Sequence, residues 1–154
     1  MILIRPYQED REVLRPLFRL ADDSEQEIAA YLGEGDVLAA FDGDDIVGHL
    51  QLVPREEPRT VELKSMAVVE MRRGTGVGHA LVEAAVRRCR EHGQTRLLVA
   101  TATADTGNLR FYQLQGFRLM GVERDAFGRQ TGYAEGIMID GIPLRDRVWL
   151  DLDL

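Results

Sequence analysis

The sequence predicts an α/β (α+β) fold built on a mixed, mostly antiparallel sheet, and three observations carry that prediction. Val37 to Phe41 and Ile46 to Val53 are two strand-like apolar runs joined only by Asp42-Gly43-Asp44-Asp45, a connection short enough for an antiparallel hairpin. Strand, glycine-rich turn, helix and strand then follow one another between Thr60 and Thr101; a right-handed crossover of this kind sets its two strands parallel. The 154 residues, 45% of them hydrophobic, are enough for one core burying roughly 70% of the unfolded chain's surface, so a single domain over residues 1–154 is expected.

In chain order, Ile2 to Tyr7 reads as a short strand and Asp10 to Leu20 as a helix with Val13, Leu14, Leu17 and Phe18 on one face. Pro16 within that pattern predicts a kink or a late helix start. Ser24 followed by Glu27 is a capping-box pattern opening a second helix that ends near Gly33 and Gly35. After the hairpin and the polar stretch PREEPR comes Thr60 to Val69, where Val61, Leu63, Ser65 and Ala67 alternate with Glu62, Lys64, Met66 and Val68, predicting a strand with two unlike faces. Gly76 to about His92 carries Val77, Leu81, Ala84, Ala85 and Arg88 at helical spacing and stops at Gly93. Arg96 to Thr101 is a buried-type strand, Asn108 to Gln115 a short helix ended by Gly116, and Phe117 to Val122 a further strand. Asp125 to Arg145 is glycine-rich with one brief apolar run, read as an extended loop with a possible hairpin. Arg147 to Leu154 alternates in the manner of a closing strand.

Composition excludes several function classes. No apolar run approaches the ~20 residues of a membrane span. The opening MILIRPYQED has charged residues early and no long apolar stretch, so a cytoplasmic, bacterial-type protein is expected. Cys89 is the only cysteine and no Cys/His cluster has zinc-ligand spacing, so neither an internal disulfide nor a metal is expected. The 26 acids against 19 bases give a net charge of −7, which opposes nucleic acid and anionic lipid and is comfortable with an amine-bearing partner.

The chemistry concentrates in Arg73-Gly74-Thr75-Gly76-Val77-Gly78, between a strand and a helix start. Free backbone N–H groups and the positive helix end converge there, glycines allow close approach, and Arg72 and Arg73 add bidentate donors, which together suit a diphosphate. A P-loop is excluded because the turn has no lysine. A dinucleotide fingerprint fails because His79 or Leu81 stands where its third glycine belongs. A plain helix cap with solvated arginines stays open on this turn alone.

A second block, Asn108-Leu109-Arg110-Phe111-Tyr112-Gln113-Leu114-Gln115-Gly116-Phe117, follows one strand later. With it the chain resembles the GNAT superfamily of N-acetyltransferases, whose Arg/Gln-x-x-Gly-x-Gly/Ala pattern is matched by Arg73, Gly76 and Gly78. Its later Asn and Phe-Tyr-x-x-x-Gly-Phe block is matched by Asn108, Phe111, Tyr112, Gly116 and Phe117. The resemblance runs from Ile2 to about Val122; the end of the chain looks more loosely like a small bacterial subgroup. Glu70 and Arg72 depart from the family's usual Pro and aromatic.

The resemblance implies about six or seven strands with a splayed parallel pair in the middle, about four helices, and acetyl transfer from acetyl-CoA to an amine by direct attack in a ternary complex. Met66, Ala67 and Val68 would then offer backbone to the pantetheine, Arg72 and Arg73 through Gly78 would surround the pyrophosphate, and His79 at the helix start would meet phosphate or solvent. Asn108 would touch the pantetheine or a bound water, or serve as helix N-cap. An alkyl ammonium must lose a proton before attacking and the departing thiolate must be stabilised. Tyr112 is the candidate acid and Glu62 the candidate base, with a water chain as the alternative; His49 is a lesser base candidate and more readily a structural histidine. His92 reads as a helix C-terminal residue. The acceptor, a small-molecule or peptide amine, would sit among the leading helices, strand edges and the 125–145 loop, where Asp22, Asp23 and Glu135 attract a cation. A homodimer is conceivable through Trp149 and the last strand. A catalytically silent acyl-CoA sensor and simple nucleotide binding stand as alternatives.

Overall fold

A computed structural model describes residues 1–154 of the chain. Its main sheet has seven strands in the order β1 (Ile2–Pro6), β2 (Asp36–Asp42), β3 (Asp45–Pro54), β4 (Thr60–Val68), β5 (Arg96–Ala102), β9 (Arg147–Asp153) and β6 (Arg118–Glu123), and only β4 with β5 runs parallel. Helices α1 (Arg15–Ala21) and α2 (Glu25–Tyr31) pack on one face, and α3 (Val77–Glu91) with α4 (Thr106–Leu114) on the other. This is the mixed sheet that the hairpin and the crossover predict.

Strand β2 shows why its sequence reads as an unbroken apolar run. Leu38 and Ala40 enter the core under α3, whereas Val37, Ala39 and Phe41 enter the core under α1 and α2, so both faces are dry. The predicted first helix divides in two: Arg11–Leu14 is a 3-10 turn capped by Asp10, and the α-helix starts late at Arg15. Pro16 thus sits in the first turn, where no intrahelical N–H is required. Ser24 accepts from the Glu27 amide at 3.2 Å, the backbone half of the expected capping box.

Three expectations are corrected. The simple alternation read in β4 breaks at a β-bulge: Gln51 faces Ser65 and Leu52 faces Leu63, leaving Lys64 as the extra residue. Met66 and Val68 therefore pack with Val61 and Leu63 against the α3 core, while Ser65 joins Glu62 on the α1 face. The helix expected from Asn108 begins at Thr106, with Asp105 as its cap. The last strand β9 lies between β5 and β6, so the edge is β6 and not the chain's end. The 125–145 segment holds a 3-10 turn at Arg129–Thr131 and a short hairpin of β7 (Met138–Ile139) and β8 (Ile142–Pro143).

His49 in β3 is fully buried, with Nε2 2.9 Å from Ser65 Oγ, its ring 4.4 Å from that of Phe18, and Nδ1 without a partner. Burial pushes its pKa down to about 3, so the folded protein holds a neutral ring that the unfolded chain protonates below about 6.5. Its contribution to stability is complete above that unfolded value and is lost as the pH falls from there toward the folded one. Urea unfolding at stepped pH should show this loss, at most about 1.4 kcal/mol per pH unit, and His49→Gln should flatten it; an equal slope in the variant contradicts the assignment.

Candidate functional site

Strands β4 and β5 pair only from Thr60 with Arg96 to Leu63 with Val99. Beyond that point β4 follows β3, with Ser65 opposite Gln51 and Val68 opposite Gly48, while β5 follows β9, with Ala100 opposite Trp149 and Ala102 opposite Arg147. The two strands part just where Lys64 bulges. The gap is a cleft of about 280 Å³ that crosses the sheet. Met66, Val99, Asn108 and Tyr112 line its α4 side; Glu62, Lys64, Tyr31 and Asp22 line its α1 and α2 side, closed by Phe127 and Tyr133 of the long loop. The cleft edges of the parted strands expose main-chain polar groups with no strand partner, which need a donor or acceptor from elsewhere.

Beyond the parted end of β4 stands the glycine turn. Gly74 and Gly76 adopt left-handed angles, φ 74° and 92°, with open space where a Cβ would be. Gly76 is the N-cap of the fifteen-residue α3 and supplies no side-chain acceptor, so the first N–H groups of this helix point outward unmet. Gly78 has another reason to be glycine: a Cβ there would lie 3.3 Å from Phe111, so its absence lets α3 and α4 meet closely.

The arginines diverge. Arg73 Nε donates to the Val68 carbonyl at 3.1 Å, placing its exposed guanidinium where the turn meets the parted strand. Arg72 is turned away to pair with Asp42 at the end of β2. Thr75 donates its hydroxyl to the Arg72 carbonyl, Val77 is buried in the core, and His79 contacts Gln115 and Glu83 on the surface. The turn thus gathers Arg73 through Gly78 and leaves Arg72 and His79 at its flanks.

Tyr112 is buried in edge contact with the rings of Phe111 and Phe117, at 5.3 and 5.6 Å. Burial raises its phenol above the ordinary range, so it stays protonated at neutral pH. Asn108 is in the first turn of α4, its amide bound by the Asp105 carboxylate at 3.0 Å and its side chain facing the cleft. Glu62 is buried on the opposite side of the sheet, with Oε1 2.9 Å from Arg55 and Oε2 3.8 Å from Lys64. Tyr112 and Glu62 therefore reach one opening from its two faces. His49 does not line it.

Sequence reasoning missed how the long loop is held. Asp22 Oδ2 accepts from Tyr31 Oη at 2.7 Å and Oδ1 from Tyr133 Oη at 2.5 Å, while Ser24 Oγ donates to the Thr131 carbonyl at 2.7 Å. The Ser24 and Tyr133 bonds span 107 and 111 residues of chain and make the loop a wall of the cleft. Its sole sequence signal is a lone tyrosine in a glycine-rich stretch.

Residues 4–117 match the Acetyltransferase (GNAT) family. The chain is 34% identical over 147 residues to the uncharacterized N-acetyltransferase YvbK of Bacillus subtilis (strain 168), covering 96% of this chain and 93% of that one. An IAA acetyltransferase from Bacillus cereus ATCC 14579 superposes with TM-score 0.90 at 32% identity over 100% of both chains. A Bacillus subtilis acetyltransferase in complex with CoA gives TM-score 0.90 at 33% identity, covering 100% of this chain and 99% of that one. A GNAT family acetyltransferase from Elizabethkingia anophelis with acetyl-CoA bound gives TM-score 0.90 at 29% identity, covering 99% and 98%.

Tyr133→Phe removes one charge-assisted bond of the Asp22 clamp, worth about 1.5–3 kcal/mol. Hydrogen exchange across residues 125–146 should quicken by about tenfold or more in the variant while α3 is unchanged; equal loop protection would show that the clamp does not hold the wall.

Proposed function

The chain belongs to the GNAT family of acetyltransferases, for which acetyl-CoA is the co-substrate, and from that premise we propose that residues 1–154 act as one domain acetylating a primary amine of a small molecule or peptide by direct attack in a ternary complex. The observation that carries this reading is the cleft at the parting of β4 and β5, which a protonated phenol and a carboxylate reach from opposite faces.

The residues present fit acetyl-CoA. The uncapped start of α3 and the left-handed glycines offer outward N–H groups to a diphosphate, with Arg73 beside them. Arg73 through Gly78 hold that end. Main-chain groups of Met66, Ala67 and Val68, on the part of β4 that has left β5, hold the pantetheine, assisted by Asn108. When bound, the co-substrate supplies an activated thioester. Arg72 contributes by bracing the turn against Asp42, and His79 by joining α3 to the end of α4.

Tyr112 keeps its proton because burial disfavours the phenolate, which suits it to protonate a departing sulfur. Glu62 takes the proton of the incoming ammonium, and Arg55 and Lys64 fix its orientation. The acceptor lies on the α1 and α2 side, between Tyr31, Glu62 and the loop wall carrying Phe127 and Tyr133.

Calorimetry should detect acetyl-CoA binding that weakens at least about tenfold, or roughly 1.4 kcal/mol, on Arg73→Glu; absence of binding by the wild type removes the proposal. With thiol release measured over an amine panel, Tyr112→Phe should lower turnover by about a hundredfold while sparing acetyl-CoA affinity. Glu62→Gln should shift the rate profile to higher pH; an unshifted profile assigns deprotonation to water instead.

A further inference from the structure

Strand β4 brings one hydroxyl to the cleft, that of Ser65, and this residue is only 4% exposed. It stands just past the bulge, between Lys64 at the parting and Met66, on the face that also carries Glu62. Its side chain has a single hydrogen-bond partner in the chain, His49 Nε2 at 2.9 Å. Gln51, opposite Ser65 across the β3–β4 ladder, directs its Nε2 to the carbonyls of Tyr31 and Glu34, and its Oε1 is bonded to nothing. The Glu62 oxygens are beside Arg55 and Lys64. Within the chain, only His49 could take the Ser65 proton.

The far side of the His49 ring decides the direction of that bond. The ring is fully buried against Phe18 and neutral, so it carries one N–H. With the proton on Nδ1, Nε2 accepts from Ser65 and a buried N–H is left without an acceptor. With the proton on Nε2, the ring donates to Ser65 Oγ and only the Nδ1 lone pair goes unmet. A buried N–H with no acceptor is the rarer defect in folded proteins. Neutral imidazole also favours the Nε2 proton by itself. The bond therefore runs from Nε2–H to Oγ, and the Ser65 proton is left over with the cleft as its open direction.

A donor at this place cannot serve the attacking nitrogen. An ammonium has no lone pair to accept it, and a free amine needs its lone pair for the thioester carbon. The group that gains negative charge during transfer is the thioester oxygen, and a preset donor aimed at developing charge in a water-poor site stabilises the transition state more than the ground state. On the reading of the cleft as an acetyl-transfer site, we propose that Ser65 is a catalytic residue whose hydroxyl donates to the thioester oxygen, and that His49 is a positioning residue that holds this hydroxyl as a donor. The two side chains on this face of β4 then divide the work: Glu62 removes the proton of the amine, and Ser65 meets the charge that its attack creates.

Long-range proton–nitrogen correlation NMR of the unaltered chain at neutral pH reads the tautomer directly and depends on no variant folding: His49 Nε2 should carry the proton and Nδ1 should be bare. With an amine that the wild type acetylates, Ser65→Ala should lower kcat about a hundredfold while acetyl-CoA affinity and the KM for the amine stay within about twofold. Ser65→Thr, which keeps the hydroxyl, should recover most of the loss. His49→Gln, whose amide still offers an N–H to Ser65, should retain more turnover than His49→Leu at equal acetyl-CoA affinity. A proton on Nδ1, or a Ser65→Ala turnover equal to that of the wild type, overturns the role of Ser65 and leaves the acetyl-transfer reading standing; a wild type that binds no acetyl-CoA removes both.

Discussion

The division of hydrogen bonds at Lys64 is the constraint on which the rest of the molecule depends. A strand can satisfy two neighbours along its whole length only if all three keep one curvature. The bulge gives β4 one residue more than β3 at this level and increases its local twist, so its second half follows β3 and leaves β5, which stays with β9. The opening is therefore a property of sheet pairing and requires no missing side chains. The same extra residue sets which faces Glu62, Ser65, Met66 and Val68 present. One local event thus creates the gap and decides what looks into it.

Such a gap in a core is unfavourable unless both sides are braced. On the α3 side the brace is close packing: Gly78 admits Phe111, and Tyr112 wedges between Phe111 and Phe117. On the other side it is polar: the Asp22 clamp, Lys64 over the Tyr31 ring at 5.0 Å and Arg55 over Trp149 at 5.5 Å. A further tie holds the end of α2. Gln51 Nε2 donates to the carbonyls of Tyr31 and Glu34, and Arg11 donates to those of Leu32, Glu34 and Gly35. The α3 side is thus rigid through shape and the α1 and α2 side through directed bonds.

What the sequence disclosed follows the range of the underlying physics. The strand order around the crossover, the glycine turn and the Phe111-Tyr112 block depend on residues near one another in the chain, and their spacing made them legible. The bulge depends on how two strands pair, and Lys64 has nothing in its own identity to mark it. Asp105 is not legible as the α4 cap because Thr106 and Gly107 are poor helix formers that tertiary packing overrides. The turning of Arg72 to Asp42 and of Tyr133 to Asp22 arises from contacts 30 and 111 residues apart, which no periodicity encodes.

The way the long loop is fastened bears on how such a protein can diversify. Across to α1 and α2 it is tied by one phenol, from Tyr133, one main-chain carbonyl, from Thr131, and the close approach of Gly132, where a Cβ would meet Ser24 Oγ at 2.5 Å. The glycine turn and the Tyr112 wedge lie on other elements. Exposed loop positions outside that crossing, such as Ala134 and Met138, can vary without loosening the seat. Descendants of one ancestral fold can in this way reshape one wall of the cleft by drift in a single surface segment while the glycine turn and the packing around Tyr112 are inherited intact.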